Sequence, residues 1–115
     1  NITAFVSDVG RQIPVADQSI DVCLMSTVLH DFVEDGSDRG VLNEIVRVVK
    51  PVGRLAVMEF KKIDGPPGPP KHIRLSPEEV ADMLDPYGFK KERTVDVGPY
   101  NYLILLKNID SSAPR

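Results

Sequence analysis

The order of apolar and polar positions along the chain predicts an alternation of strands and helices. Ile2-Thr3-Ala4-Phe5-Val6 is short and rich in β-formers, and predicts a strand ending near Ser7-Asp8. Gly10 to Ser19 predicts a loop, punctuated by Pro14 and by the polar Asp17-Gln18-Ser19. Ile20 to Met25 is almost continuously apolar, the pattern of a strand buried on both faces, as in a parallel sheet. Leu42, Ile45, Val46 and Val49 fall at helical spacing and predict a helix to about Val49, capped by Ser37 or Asp38. Arg47 and Lys50 suit the negative end of its dipole, and Lys50-Pro51 stops it. Gly53 permits a tight turn into a strand over Arg54 to Glu59.

Gly65-Pro66-Pro67-Gly68-Pro69-Pro70 is incompatible with helix or central strand and predicts an extended, stiff connection. Ser76-Pro77-Glu78-Glu79 is a capping box with proline at the first helical position. Val80, Met83, Leu84 and Tyr87 form the apolar stripe of the helix it starts, which Pro86 and Gly88 end. Lys90 to Val97 and Tyr100 to Lys107 predict two strands joined at Gly98-Pro99, close enough to form an antiparallel hairpin. The expected class is α/β, a mostly parallel sheet finishing in an antiparallel pair, over one domain spanning 1–109 with a polar tail at 110–115.

Composition narrows the function classes. The chain has 115 residues, a net charge of -3 and a single cysteine, Cys23. No cluster of Lys and Arg provides the footprint of a nucleic-acid binder, and no apolar run approaches a membrane span, so neither partner is expected. One cysteine excludes an internal disulfide and fits a reducing, cytoplasmic setting. His30, Asp31, His72 and Cys23 lack metal-site spacing, and no metal is expected. No glycine-rich phosphate loop, G-x-S-x-G, H-E-x-x-H or C-x-x-C occurs in the sequence.

In an open α/β sheet, ligands bind beyond the carboxyl ends of the strands. There the sequence places Ser7-Asp8, then Ser26-Thr27 with Leu29-His30-Asp31 just beyond, then Glu59-Phe60. Asp8 suits an adenine amino group, or caps the next turn. Ser26 and Thr27 suit an amino-acid moiety, or satisfy loop backbone. His30 is either a general base or a hydrogen-bonded loop histidine. Glu59 faces the site or begins a solvated loop. Cys23, inside a strand, reads as core.

The run from Ile2 to Val9, then Ile13-Pro14, then Asp17-Gln18-Ser19-Ile20-Asp21-Val22, resembles the G-D-A, L-P-F, D-x-S-F-D-V pattern of class I S-adenosylmethionine (SAM)-dependent methyltransferases. Leu29-His30-Asp31 is similar to the family's L-H-H, and the stretch from Leu42 to Leu55 to its L-x-E-I-x-R-V-L-K-P-G-G-x-L. Ser76 to Phe89 resembles its late helix ending in G-F. The resemblance implies a Rossmann-like sheet and SAM as cofactor. It places Asp8 and the Val9 backbone at the adenine, Ser26 and Thr27 at the methionine part and sulfonium, and Leu29 and His30 toward a small-molecule methyl acceptor; Glu59, from its place at a strand end, is expected on the same substrate side. The family's G-x-G-x-G loop and ribose-binding acidic residue are not in this sequence. The chain also starts without Met, directly in an apolar run. The expectation is therefore a C-terminal portion carrying about half a cofactor site and inactive in isolation.

Val52 stands where the family's K-P-G-G has glycine. In the family's sheet order two further strands separate Ile2–Val6 from Ile20–Met25, which leaves the latter an apolar edge. That edge predicts a homodimer or higher oligomer. The alternatives are a non-catalytic module of the same fold, used for binding or oligomerisation, and a different Rossmann-like nucleotide binder, which the run through Lys50-Pro51 argues against.

Overall fold

The computed structural model describes residues 15–109. The predicted strand Ile2–Val6, the candidate residues Asp8 and Val9, and the tail at 110–115 lie outside the described residues. Four strands and three α-helices follow in order: β1 (Ile20–Ser26), α1 (Leu29–Asp35), α2 (Asp38–Val48), β2 (Val49–Phe60), α3 (Pro77–Leu84), β3 (Phe89–Val97) and β4 (Asn101–Asn108). The strands form one sheet in the order β1-β2-β4-β3. β1 runs parallel to β2, and the β3–β4 hairpin adds to the far side of β2 with both of its pairings antiparallel. The sheet is thus mixed, with the antiparallel pair at its end as the sequence predicts.

The helices cover one face of this sheet. Leu55, Val57, Ile104 and Leu106 stand opposite one another on β2 and β4 and are fully buried against Val41, Ile45, Val80 and Leu84 of α2 and α3. On β1 the same face carries Cys23 and Met25. The expectation that Ile20–Met25 is buried on both faces is corrected. Met25 is 5% exposed, but Val22 and Leu24 are 59% and 61% exposed. The strand does alternate, and its second apolar face has no covering layer among the described residues. β1 also has a single strand neighbour there, β2.

Local chemistry explains most element ends. Ser76 caps α3 as the sequence predicts: its hydroxyl accepts from the Glu79 N–H at 3.1 Å, and Glu79 Oε1 accepts from the Ser76 N–H at 2.9 Å. Ser37 holds the N-cap position of α2 but makes no side-chain cap bond; its N–H and hydroxyl both donate to Asp35 Oδ1. Arg47 near the end of α2 ties down the entry to β1 through Asp17 Oδ1 and the Val15 carbonyl, and pairs with Glu44 one turn back on its own helix.

Helix α1, not predicted from the sequence, ends on Gly36 in the left-handed region at φ 80°, where its N–H meets the carbonyls of Phe32 and Val33. At the start of β2, pairing skips from Ile20–Val49 to Val22–Arg54, so residues 50–53 bulge away from β1. Val52 sits at the tip of that bulge with φ 57°, a conformation natural to glycine. Gly53 follows because a Cβ there would lie 2.8 Å from the Lys50 carbonyl oxygen and from Val49 Cγ1.

Candidate active site at the carboxyl rim of the sheet

β1 and β2 are parallel, so their carboxyl ends meet on one rim. The chain leaves β1 through a sharp turn. Thr27 has φ 55°, its N–H donates to the Met58 carbonyl at 2.7 Å, and its hydroxyl donates to the Ser26 carbonyl at 2.7 Å. The turn is therefore pinned to β2, and the Thr27 hydroxyl is used locally. Ser26 is exposed. Helix α1 starts two residues later and puts His30 in its first turn, directly over the end of β2.

There Glu59 grips it with both oxygens. Oε1 lies 2.7 Å from His30 Nδ1, and Oε2 accepts from the His30 backbone N–H at 3.1 Å. The second contact supplies a partner for an amide that a helix start leaves without an intrahelical acceptor, and sets a carboxylate at the positive end of the helix dipole. Glu59 is fully buried and His30 is 5% exposed. Burying the polar end of Glu59 is tolerable because both its oxygens are engaged. With Nδ1 held by Glu59, the remaining ring nitrogen, Nε2, lies 3.4 Å from Oδ1 of the exposed Asp31. The edge of the imidazole meets the Phe60 ring, with centroids 6.0 Å apart and planes at 72°. Tyr102 is opposite Glu59 on β4 and donates its hydroxyl to the Leu75 carbonyl at 2.5 Å. Burial, and then the Glu59 charge, push the Tyr102 phenol well above its ordinary range, so it stays protonated as a donor.

Of the residues singled out from the sequence, the structure thus brings Ser26, Thr27, His30 and Glu59 to one rim. Leu29 is fully buried in the core, and its side chain reaches no open surface. Beside the rim, Cys23, Met25, Val28, Phe32, Val41 and Ile45 line an apolar cavity of about 230 Å³. Burial raises the Cys23 thiol above its usual range. Among the described residues no three His, Cys, Asp or Glu side chains gather to hold a metal. No helix there is long and apolar enough to cross a membrane.

Sequence reading missed Arg74, which is 2% exposed and organises the segment after β2. Its Nε donates to the Pro69 carbonyl at 2.8 Å, Nη1 to Lys61 and Ile63 at 3.2 and 2.8 Å, and Nη2 to Gly65 and Pro67 at 2.6 and 2.8 Å. The Pro-Gly stretch, expected to be extended, instead curls around this one guanidinium. Five carbonyls converging on one group require the curl. The only signal in the sequence was an arginine a few residues beyond a proline-rich run.

Residues 2–57 match the family model described as "Methyltransferase domain". The fold is similar to that of a SAM-dependent methyltransferase from Aquifex aeolicus, at 30% identity over 94% of this chain and 55% of that one, with a TM-score of 0.78. It is similar also to a protein from Sulfolobus solfataricus assigned as a type 11 methyltransferase, at 25% identity over 90% of this chain and 56% of that one, TM-score 0.74. A third similar structure is the mitomycin 7-O-methyltransferase MmcR, at 26% identity over 88% of this chain and 32% of that one, TM-score 0.63. No curated protein sequence matches the chain. The sheet order, the rim and these likenesses define one class, the Rossmann-like methyltransferases. Within it, the chain is similar to the class I SAM-dependent methyltransferases in residues 2–57 and in fold. It spans about half the length of the first two relatives, 55% and 56%.

Proposed function

We propose that the chain forms the acceptor-side half of a SAM-dependent methyltransferase acting on a small molecule. The observation that carries this reading is the two-point grip of Glu59 on His30 at the carboxyl rim of the sheet. Carboxylate on Nδ1 fixes the imidazole with its lone pair on Nε2, the arrangement of a general base for an acceptor that arrives protonated. Methyl transfer needs little beyond alignment, exclusion of water and, for such an acceptor, removal of one proton. His30 takes that proton at Nε2, and Glu59 stabilises the imidazolium that results.

The rim suits the cofactor: the exposed Ser26 hydroxyl and Asp31 carboxylate offer oxygens to a cationic sulfonium. SAM, when bound, supplies the methyl group in activated form. In this reading Ser26 and the Thr27 backbone hold its methionine part, and Asp8 and Val9 its adenine. Neither a G-x-G-x-G loop nor the ribose carboxylate occurs in the sequence, so the 115-residue chain alone holds the cofactor weakly.

Calorimetric titration of SAM and S-adenosylhomocysteine separates the parts of this reading. The 115-residue chain is expected to bind weakly or not at all, and the longest natural protein containing it to bind both. Tight binding by the short chain would refute the division of the site; absence of binding by the longer protein would refute the function. The exposed Val22 and Leu24 on β1 favour self-association into a homodimer or higher oligomer. They also favour a second reading, a non-catalytic oligomerisation module, which the same titration excludes if the longer protein binds SAM. The free Cys23 supports a cytoplasmic setting.

A further inference from the structure

We infer that Arg74 is a positioning residue for the acceptor side of the site: it moulds residues 61–69 into a fixed wall and, through Phe60, sets the ring of His30. This rests on the methyl-transfer reading above for its purpose, though not for its geometry. A guanidinium has five N–H groups. In Arg74 all five are used, and their acceptors are the carbonyls of Lys61, Ile63, Gly65, Pro67 and Pro69, every second residue of the segment that leaves β2 at the rim. A lysine has three donors and no planar fork, and cannot hold this turn.

The same guanidinium lies over the Phe60 ring, 5.6 Å from its centroid. The turn presses on that ring from a second direction at Gly68, where a Cβ would stand 2.8 Å from Phe60 Cδ1 and Cε1. The imidazole of His30 meets the ring at a third place. Phe60 is therefore clamped between Arg74, the Gly68 backbone and His30, and cannot rotate without disturbing all three. Because the carbonyls are turned inward onto Arg74, the outer surface of the turn consists of exposed Gly65, Pro66, Pro67 and Gly68. Such a wall offers few hydrogen bonds and suits a flat, largely apolar acceptor. It keeps its shape without waiting for a ligand.

The chain has two histidines, so carbon-13 labelling of histidine gives two readable rings: His30 as the reporter of the site, and the exposed His72 as the reporter of the turn itself. The variants are Arg74→Met, Arg74→Lys, Phe60→Leu and the Arg74→Met/Phe60→Leu pair, with amide exchange followed at Lys61 and Ile63, whose N–H groups donate to Tyr100 and Lys61 carbonyls. Arg74→Met is expected to speed exchange at those amides on the order of tenfold or more, displace the His30 ring resonances and weaken the Overhauser contact between His30 and Phe60. With Phe60→Leu already present, Arg74→Met is expected to move His30 no further. Arg74→Lys is expected to behave like Arg74→Met.

If Arg74→Met loosens the turn and shifts His72 while His30 stays put, Arg74 supports a loop and nothing more, and the inference is overturned. Should Arg74→Met fail to fold, Phe60→Leu alone decides: His30 resonances unchanged by it overturn the coupling. These signals need no cofactor, so they stand or fall separately from SAM binding, which the titration of the longer protein tests.

Discussion

Replacing Val52 with glycine should stabilise this protein, against the usual direction of large-to-small substitutions. The balance follows from three quantities. Val52 has φ 57°, and a residue with a Cβ held there costs roughly 1–2 kcal/mol, at the upper end for a β-branched side chain. Its side chain is 58% exposed, so removing it forfeits little burial, about 0.5 kcal/mol at most. Glycine adds freedom to the unfolded chain, worth about 0.4–1 kcal/mol against the variant. The Val52 carbonyl keeps its bond from Arg54 Nη1 at 2.7 Å, since that involves backbone only on the Val52 side. The strain term is the largest, and the net gain is about 0.5–1 kcal/mol, a rise of roughly 2–6 °C in the midpoint of thermal unfolding for a domain of this size. Thermal unfolding followed by circular dichroism reads it directly. Val52→Asn should gain part of this, because asparagine tolerates the left-handed region, and Val52→Ala almost nothing, because it keeps the Cβ. Gly53→Ala should lose about 2 kcal/mol, since the new methyl meets backbone and Val49 at 2.8 Å. A Val52→Gly protein that melts at or below the parent, with Val52→Ala unchanged, would show that the bulge is not strained.

Three further outcomes are expected. Glu59→Ala leaves the Nδ1 and backbone N–H of His30 without partners in a buried site and should cost about 3 kcal/mol, read by urea unfolding; a loss under 1 kcal/mol would mean that water replaces the carboxylate. The Lys62 ammonium and the Ser76 backbone N–H hold the Glu79 carboxyl below the usual glutamate range, so their stabilisation is complete above that range and lost as pH falls through the folded value; Glu79→Gln should therefore melt with a shallower dependence between about pH 5 and pH 3, and an unchanged slope would contradict the assignment. Burial holds the Cys23 thiol above its usual range, so iodoacetamide should label the native chain far more slowly at neutral pH than the chain in urea, and equal rates would refute its placement.

The elements written in local chemistry were legible. The Ser76–Glu79 capping box, the apolar stripe of α2 and the hairpin closing on Gly98-Pro99 depend on neighbours in sequence, and the structure has all three. Helix α1 was not legible. It is seven residues long, it lies next to a polar rim, and its amide at His30 is capped by a carboxylate 29 positions away. No local pattern announces such a cap. For the same reason His30 and Glu59 were each singled out, yet their pairing was not. Val22 and Leu24 misled because apolar runs report what a strand can bury, and among the described residues no layer covers that face. Arg74 was invisible because its partners are carbonyls, which every residue carries.

That last point bears on how such a site changes over time. A turn held by five main-chain oxygens is indifferent to the side chains it displays. At Gly65 an added Cβ meets nothing within 4 Å, although its φ of +93° resists one, while Gly68 is fixed by both Phe60 and its own backbone. Pro66, exposed on the outside of the curl, is therefore open to replacement without loss of the frame beneath it. One arginine thus separates the mould from the surface cast on it, and on the proposed methyl-transfer reading the outer positions are where a new acceptor preference would arise by single substitutions.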